Sequence, residues 1–256
     1  MRGVSVSVDR TAVVTGAGSG IGRAIARRLA EDGLKVGIVE LDASAAAEVV
    51  EEIHVKGGEA LAVGGVDVAD RRQVEASVSA VHEAFGPVSV LVNNAGISTF
   101  RKFLKTTDEA WDRMLAVNLS GPFYCCQAVV PDMVAVGWGR IVNISSTAAL
   151  AGQQYQSSYA ASKAGLVGLT KSLALELGPA GITVNSLAPG MVDTPLMRKA
   201  ANRGHFGGTV DELADRTPVR RAGKPEDLAA SCAFLVSDQA GYVTGQVLAV
   251  NGGRYT

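Results

Sequence analysis

The sequence has few aromatic residues and no excess of charge of either sign. Aromatic residues make up 5% of the 256 residues, whereas 47% are hydrophobic and 30 are glycine. A core of small and aliphatic side chains suits parallel strands covered by closely packed helices. Lysine and arginine number 24 and aspartate and glutamate 25, so the formal net charge is −1. This balance gives no field that would attract nucleic acid or a membrane surface, and we predict neither as a partner.

Cysteine and histidine are scarce. The three cysteines, Cys125, Cys126 and Cys232, form neither a C-x-x-C pair nor a zinc-binding pattern. The three histidines lie far apart in the sequence, with no carboxylate or thiol at ligand spacing. We therefore expect buried, reduced thiols and no metal.

Long apolar runs are also lacking. No uninterrupted apolar run approaches the roughly 18 residues of a membrane span, and the N-terminal MRGVSVSVDR has no signal-peptide core. We expect a cytoplasmic protein.

What the sequence does contain is a regular alternation of two kinds of segment. Helical segments rich in alanine, leucine and glutamate separate most of the strand-like runs, which indicates βαβ units. The predicted strands are TAVVTG, KVGIVE, EALAVGGVDV, VSVLVNNAG, GRIVNISS, ITVNSLAPG and QVLAVNGG. We predict an α/β fold, a single Rossmann-type, doubly wound, seven-stranded parallel sheet with helices on both faces, in one domain spanning residues 1–256.

Residues 194–223 break this alternation. They contain GHFGG, mixed charges and no strand pattern. A long insertion near the strand ends is typical of a lid over a binding site, and we predict a substrate lid here. A surface loop without such a role is the alternative.

A glycine-rich stretch, TGAGSGIG, follows the first predicted strand. Its glycines Gly16, Gly20 and Gly22 read G-x-x-x-G-x-G and not G-x-G-x-x-G. Glycines between a strand and a helix let the backbone approach a pyrophosphate at the helix N-terminus. From this stretch alone, an ordinary turn between a strand and a helix stays open.

Glu40 ends the second predicted strand, 24 residues after Gly16. A dinucleotide-binding fold places an acid near this point to bind the adenosine ribose. Its carboxylate would repel a 2′-phosphate, and neither Ser19 nor Leu41 supplies the positive charge that a phosphate needs. The sequence therefore favours NAD over NADP, with Asp42 as the competing carboxylate.

Four polar residues occur in motifs that resemble those of one enzyme family. Tyr159 and Lys163 lie four residues apart in YAASKAG, on one face of the predicted helix. Ser146 ends the strand GRIVNISS, Asn118 lies in VNLSG, and NNAG spans residues 93–96. With TGAGSGIG, these motifs resemble the short-chain dehydrogenase/reductase family over nearly the whole chain. The ending TGQVLAVNGG is similar to the 3-oxoacyl-acyl-carrier-protein reductase and 3-hydroxyacyl-CoA dehydrogenase members.

The resemblance implies a catalytic tetrad of Asn118, Ser146, Tyr159 and Lys163. Tyr159 would donate a proton to the carbonyl oxygen as the carbon receives hydride, and Ser146 would hydrogen-bond the same oxygen. Lys163 would hold the nicotinamide ribose and lower the pKa of Tyr159. Asn118 would bind a water that links Lys163 to solvent.

The resemblance also implies the cofactor site. The residues follow the first four predicted strands, lie on the Tyr159 helix, or belong to the segment PGMVDT. The predicted cofactor residues are Gly16, Ser19, Gly20, Ile21, Gly22, Glu40, Asp67, Val68, Asn94, Ala95, Gly96, Tyr159, Lys163, Pro189, Gly190, Val192 and Thr194.

The predicted substrate walls mix apolar and amide groups. They are Ser146, Gln153, Tyr155, Tyr159, Met191 and Met197. Such walls suit a moderately apolar ketone or secondary alcohol. Two basic clusters are expected near the mouth, 101–105 and 198–203, where they would receive the phosphate of a coenzyme A or acyl-carrier-protein thioester. Scattered solvated charge is the alternative.

The predicted function is hydride transfer between NAD(H) and a ketone or secondary alcohol, preferably as a 3-oxoacyl thioester reductase or 3-hydroxyacyl dehydrogenase. Carrier-protein reductases usually take NADPH, and Glu40 departs from that pattern. The alternatives are an NAD-dependent polyol, sugar, cyclic-alcohol or steroid dehydrogenase and, in another class, a non-catalytic NAD sensor or scaffold. The resemblance further implies a homotetramer.

Overall fold

The computed structural model describes residues 10–205 and 208–255. Seven strands form one sheet in the order β3-β2-β1-β4-β5-β6-β7, and every neighbouring pair is parallel. The strands are β1 (Thr11–Thr15), β2 (Lys35–Glu40), β3 (Ala60–Gly64), β4 (Val88–Asn93), β5 (Gly139–Ile144), β6 (Ile182–Pro189) and β7 (Val247–Val250). The predicted doubly wound parallel sheet is confirmed.

The helices connect these strands as βαβ crossovers. They are α1 (Gly20–Glu31), α2 (Ala43–Val55), α3 (Arg71–Phe85), α4 (Asp108–Leu115), α5 (Gly121–Val136), α6 (Ala148–Ala151), α7 (Ser157–Leu177), α8 (Pro195–Asn202), α9 (Val210–Ala214) and α10 (Pro225–Val236). A π-helical turn, Ala116–Ser120, joins α4 to α5. None of the helices in the described ranges has the length and apolar character of a membrane span.

The central strands are apolar on both sides because helices cover both faces of the sheet. Every residue of β4, β5 and β6 is buried. On one face, Ile25 and Leu29 of α1 belong to the same apolar cluster as Leu228 of α10. On the other face, Val81 of α3 clusters with Met133 of α5. This two-sided burial explains why the strands read as continuous apolar runs.

The strand order reverses between β1 and β4. The chain winds outward from β1 through β2 to β3, and then crosses to β4 on the other side of β1. Such a reversal leaves a crevice at the carboxyl ends of the two strands, where open α/β sheets bind ligands. The residues after β1 and β4 include the predicted glycine-rich stretch and NNAG.

The segment 194–223 is held at both of its ends. The Gly223 amide donates to the Met191 carbonyl (2.9 Å), and the Asp193 amide donates to the Gly223 carbonyl (2.8 Å). Within the segment, Leu213 of α9 is buried in a small cluster with Met191 and Met197. Residues 206 and 207, which are part of the predicted lid, lie outside the described residues. The segment thus leaves the fold beyond the end of β6 and returns to the same point.

Candidate active site

A cavity of about 770 Å³ opens at the carboxyl ends of the strands, on the crevice side of the sheet. Its walls come from the segments that follow all seven strands, together with residues of α4, α7 and α8. These are the segments in which the predicted cofactor and substrate residues lie. The fold therefore gathers motifs from nearly the whole chain around one space.

The glycine-rich stretch forms one end of this cavity. Gly16 (φ +62°) and Gly20 (φ +54°) adopt the left-handed conformation and line the cavity with Ser19 and Ile21. No side chain caps α1, since Ser19 makes no capping hydrogen bond. The free amides and positive dipole end of α1 therefore suit a phosphate.

Gly22 serves the same turn by close packing and does not line the cavity. It is buried, and a Cβ at this position would overlap the Gly16 carbonyl oxygen and the side-chain nitrogen of Asn94. The side-chain amide of Asn94 donates from Nδ2 to the backbone carbonyls of Thr15 (3.0 Å) and Gly16 (2.8 Å). Gly22 thus allows Asn94 to hold the turn, so its part in a pyrophosphate site would be indirect.

Glu40 is the carboxylate that lines the cavity after β2. Its Oε2 accepts from the Gly18 amide (2.9 Å) and its Oε1 from the Leu41 amide (2.8 Å). Asp42, the competing acid, instead caps α2 by accepting from the amides of Ser44 and Ala45, and it is not part of the cavity wall. The acid that remains in place for a ribose is Glu40.

Asp67 and Val68 line the cavity after β3, and Asp67 has a partner that the sequence analysis missed. Arg113 of α4 forms an ion pair with Asp67, with 2.8 Å between Nη1 and Oδ2, and also lines the cavity. Partial burial would raise the pKa of Asp67, but the hydrogen bond and charge of Arg113 hold it below its ordinary value. The two lie 46 positions apart in the sequence, so no local signal pairs them.

Asn94, Ala95 and Gly96 line the cavity after β4. Thr15 Oγ1 accepts from the amides of both Asn94 and Ala95 (3.1 Å each), which fixes this segment against the end of β1. The preceding residue, Asn93, is fully buried and donates to Asn143 Oδ1 (2.9 Å). Asn93 therefore links β4 to β5 and does not face the cavity.

Ser146, Tyr159 and Lys163 meet in the cavity. Ser146 follows β5, while Tyr159 and Lys163 lie one turn apart on α7. Burial raises the pKa of Tyr159, and a hydrogen bond with Ser146 opposes that rise. The arrangement places a phenol and a hydroxyl side by side, as the polarisation of a substrate oxygen requires.

Lys163 is held by the backbone. Its Nζ donates to the Ile144 carbonyl (2.7 Å) and lies 6.0 Å from the centre of the Tyr159 ring. Burial lowers the pKa of Lys163 to about 8. Burial dominates the pKa of Tyr159 in this arrangement, and the lowering by Lys163 that the resemblance implies stays a prediction.

Asn118 lies behind the cavity wall, in the π-helical turn. Its Oδ1 accepts from the Ile97 amide (2.9 Å), and its Nδ2 donates to the Ile97 carbonyl (3.0 Å) and to Ser162 Oγ (3.1 Å). The side chain is fully buried. Asn118 thus fixes the segment beside Gly96, and it is not itself among the lining residues.

The segment after β6 completes the far end of the cavity. Pro189, Gly190, Val192 and Thr194 all line it. Thr194 caps α8 by accepting from the Met197 amide (3.2 Å). Its methyl group would lie 3.3 Å from a Cβ at Gly20, so the pyrophosphate and nicotinamide parts of the predicted cofactor site adjoin each other.

Of the predicted substrate residues, Gln153, Met191 and Met197 line the cavity with Ser146 and Tyr159, whereas Tyr155 does not. Tyr155 has a φ of 65°, its side chain is 47% exposed, and its carbonyl accepts from the Arg101 amide (2.8 Å). The tight backbone turn directs it away from the cavity.

One lining residue that was not predicted is Gln156. Gln156 donates to Ser98 Oγ (2.6 Å) at the cavity wall. Phe100 and His205 stack with 4.4 Å between ring centroids, which joins the segment after β4 to the predicted lid. In the described residues, no group of three or more His, Cys, Asp or Glu side chains is placed to hold a metal.

Comparison with known proteins places this chain in a family. A family model described as enoyl-(acyl carrier protein) reductase matches residues 16–255. A crystal structure of gox2181 superposes with a TM-score of 0.90 at 36% identity, covering 96% of this chain and 95% of that one. The chain belongs to the short-chain dehydrogenase/reductase family, as its motifs indicated.

Curated relatives share nearly the full length of the chain. The short-chain reductase protein NovJ of Streptomyces niveus is 43% identical over 253 residues, 98% of this chain and 96% of the relative. The 3-oxoacyl-[acyl-carrier-protein] reductase FabG of Staphylococcus epidermidis is 40% identical, covering 97% and 100%. A (2S)-[(R)-hydroxy(phenyl)methyl]succinyl-CoA dehydrogenase subunit, BbsD of Thauera aromatica, is 42% identical, covering 96% of each chain. The protein is an oxidoreductase that uses a nicotinamide cofactor and acts on keto or CH–OH groups.

Proposed function

We propose that this protein interconverts 3-oxoacyl and 3-hydroxyacyl thioesters with NAD(H). The observation that carries the proposal is the meeting of Ser146, Tyr159 and Lys163 in the cavity that also contains Glu40. The names of the relatives support a thioester, since one is a reductase of acyl-carrier-protein substrates and another a dehydrogenase of a CoA compound.

In the proposed reaction, Tyr159 is the proton donor and Ser146 orients the substrate oxygen. When bound, the cofactor would supply hydride to the carbonyl carbon, or accept it in the oxidative direction. Negative charge would then build on the oxygen, where the Tyr159 hydroxyl and Ser146 Oγ would hydrogen-bond it. In oxidation, the Tyr159 phenolate takes the proton of the substrate hydroxyl.

Lys163 and Asn118 support that proton transfer. Lys163 would hold the nicotinamide ribose hydroxyls, which fixes the cofactor and Tyr159 in one geometry. Nζ of Lys163 and Oδ1 of Asn118 both lie within 3.4 Å of the position that a Cβ of Gly96 would occupy. A water bound near Asn118 would therefore have Lys163 within reach, as a proton relay to solvent requires.

The preference for NAD rests on Glu40. Its carboxylate faces the cavity, and the neighbouring Leu41 side chain is 60% exposed and uncharged. The Glu40 carboxylate would repel a 2′-phosphate here, and Leu41 supplies no positive charge to bind it. Ribose hydroxyls, by contrast, can donate hydrogen bonds to the carboxylate. The cofactor residues that line the cavity would bind NAD along its length.

The remaining features of the proposal concern the whole molecule. We propose one domain with residues 194–223 as a substrate lid, in a cytoplasmic homotetramer. The exposed apolar side chains of Phe123 on α5 and Leu175 on α7 support burial of these helices between subunits. A solution mass close to that of the 26.3 kDa chain would refute the tetramer.

The test is a set of initial rates with NADH and NADPH measured separately. The substrates are acetoacetyl-CoA, a longer 3-oxoacyl thioester, a cyclic ketone and a ketose. Turnover of thioesters with NADH as the better cofactor is expected. Turnover of only the free ketones or sugars would favour a polyol, sugar, cyclic-alcohol or steroid dehydrogenase, and NADH binding without turnover of any ketone would favour a sensor.

A further inference from the structure

The charges that line the cavity are unevenly distributed. The two carboxylates in its wall are Glu40, which ends β2, and Asp67, which follows β3, at the end expected to bind adenosine. Asp67 is paired with Arg113, and Glu40 accepts hydrogen bonds from backbone amides. No carboxylate among the described lining residues belongs to the segments that follow β4, β5 and β6. The substrate half of the wall therefore lacks negative charge.

Besides Lys163 at the reaction centre, the same half carries three cations from two facing segments. Arg101 belongs to the segment after β4, whereas Lys199 lies on α8 and Arg203 at its C-terminal end. Lys199 and Arg203 are four residues apart, so they lie on one face of the helix. The stacked pair Phe100 and His205 joins the two segments at this point.

These three cations have no ion-pair partners among the described residues. Arg198, which directly precedes Lys199 on α8, is different. It forms a two-pronged ion pair with Asp193 (2.6 and 2.7 Å) and does not line the cavity. On α8, therefore, the charge-paired Arg198 lies away from the cavity, whereas the unpaired Lys199 and Arg203 face it.

We propose that Arg101, Lys199 and Arg203 form an anion subsite for the phosphate of a substrate's thioester carrier. Neighbouring like charges repel one another, and an anion among them would relieve that repulsion. Guanidinium groups bind phosphate bidentately, and an ammonium adds a point charge.

The position of the subsite fits this chemistry. In coenzyme A and in the phosphopantetheine of a carrier protein, the phosphate and the thioester lie at opposite ends of the pantetheine arm. The reacting carbonyl would lie at Tyr159, so the phosphate belongs at the mouth, where Arg101, Lys199 and Arg203 are exposed. This inference rests on the proposed thioester function and specifies what that function recognises besides the acyl group.

The test compares one acyl group on three carriers: acetoacetyl-CoA, acetoacetyl-phosphopantetheine and acetoacetyl-N-acetylcysteamine, which has no phosphate. Removing two cations in the double variant Lys199→Gln, Arg203→Gln should lower kcat/KM for both phosphorylated thioesters by about tenfold or more, mainly through KM. The N-acetylcysteamine thioester should be reduced equally well by the wild type and the variant. Loss confined to acetoacetyl-CoA would locate the contact at the nucleotide phosphates and not at the pantetheine phosphate.

Two variants serve as controls. Arg198→Gln removes a charge from the same helix, and Lys102→Gln removes one beside Arg101; neither residue lines the cavity. Both should retain the wild-type preference for phosphorylated thioesters. Raised salt should weaken the preference in the wild type and leave the double variant unaffected.

The possible failures are distinguishable. If the wild type reduces all three thioesters with the same kcat/KM, the subsite is refuted and the thioester function stands. If the double variant loses activity equally on all three, the cations act on the fold or the lid and the subsite is again refuted. Absence of turnover with every thioester would overturn both the proposed function and the subsite.

Discussion

Asn118 and Lys163 approach each other across Gly96. A Cβ at position 96 would lie 3.2 Å from Oδ1 of Asn118 and 3.4 Å from Nζ of Lys163. Asn118 is tied to Ile97, and Lys163 to the Ile144 carbonyl, so neither side chain is free to move aside. Glycine at position 96 therefore keeps open the space between the amide and the ammonium.

Gly96→Ala should consequently reduce turnover. A methyl group between the two polar atoms would shift Lys163 or exclude water, and we expect kcat to fall by about tenfold or more. Steady-state rates together with thermal unfolding would measure this. Gly168→Ala on α7 is the matched control, because a Cβ there meets no atom within 4 Å, and alanine should stabilise the helix by about 0.5–1 kcal/mol. Unchanged turnover in Gly96→Ala would refute this role for the space.

Tyr159→Phe should remove the proton donor and leave the cavity shape unchanged. General acid–base catalysis contributes about 10²–10⁴-fold, so we expect kcat to fall by that order while NADH affinity is largely kept. Tyr155→Phe provides the control, since Tyr155 lies outside the cavity. Steady-state rates and fluorescence titration with NADH would separate the two effects. Parallel loss of NADH binding in Tyr159→Phe would contradict the assignment.

Lys163→Met should stabilise the cofactor-free protein while abolishing activity. Burial lowers the pKa of Lys163 to about 8 from its ordinary value of 10.5. Below pH 8 both the folded and the unfolded chain carry the proton, so the folded state bears the full cost of the buried charge. Between these two pKa values the unfolded chain binds more protons, and the wild type gains stability as pH rises, by at most about 1.4 kcal/mol per pH unit.

The stability advantage of Lys163→Met should therefore be largest below about pH 8 and shrink towards pH 10.5. Urea unfolding of both proteins at about pH 7 and about pH 9.5 would test this. Their difference cancels contributions from other groups, including the buried thiols whose pKa values burial raises. A difference that does not change with pH would show that the pKa of Lys163 is not lowered.

Glu40→Ala combined with Leu41→Arg should shift cofactor preference towards NADP. The change removes a charge that would repel the 2′-phosphate and supplies one that binds it. The ratio of kcat/KM for NADPH and NADH measures the shift. Asp42→Ala is the control, because Asp42 caps α2 outside the cavity, and it should leave the ratio unchanged. An unaltered ratio in the double variant would remove Glu40 from its proposed role.

The sequence by itself determined the sheet, because two-sided burial forces the central strands into continuous apolar runs that alternate with helices. It also determined most of the cavity wall, since motifs at the carboxyl ends of neighbouring parallel strands must meet. The order of the strands could not be read from alternation alone, and the structure supplied it.

Only the tertiary structure decided contacts between residues distant in the sequence. The pairing of Arg113 with Asp67, the tether of Lys163 to Ile144 and the difference between Arg198 and its neighbours depend on side-chain directions that no spacing encodes. Tyr155 was predicted as a wall residue because it belongs to the segment after Ser146, yet it has a left-handed backbone conformation and does not line the cavity. Local pattern fixes which residues share an element, whereas packing between elements fixes which atoms meet.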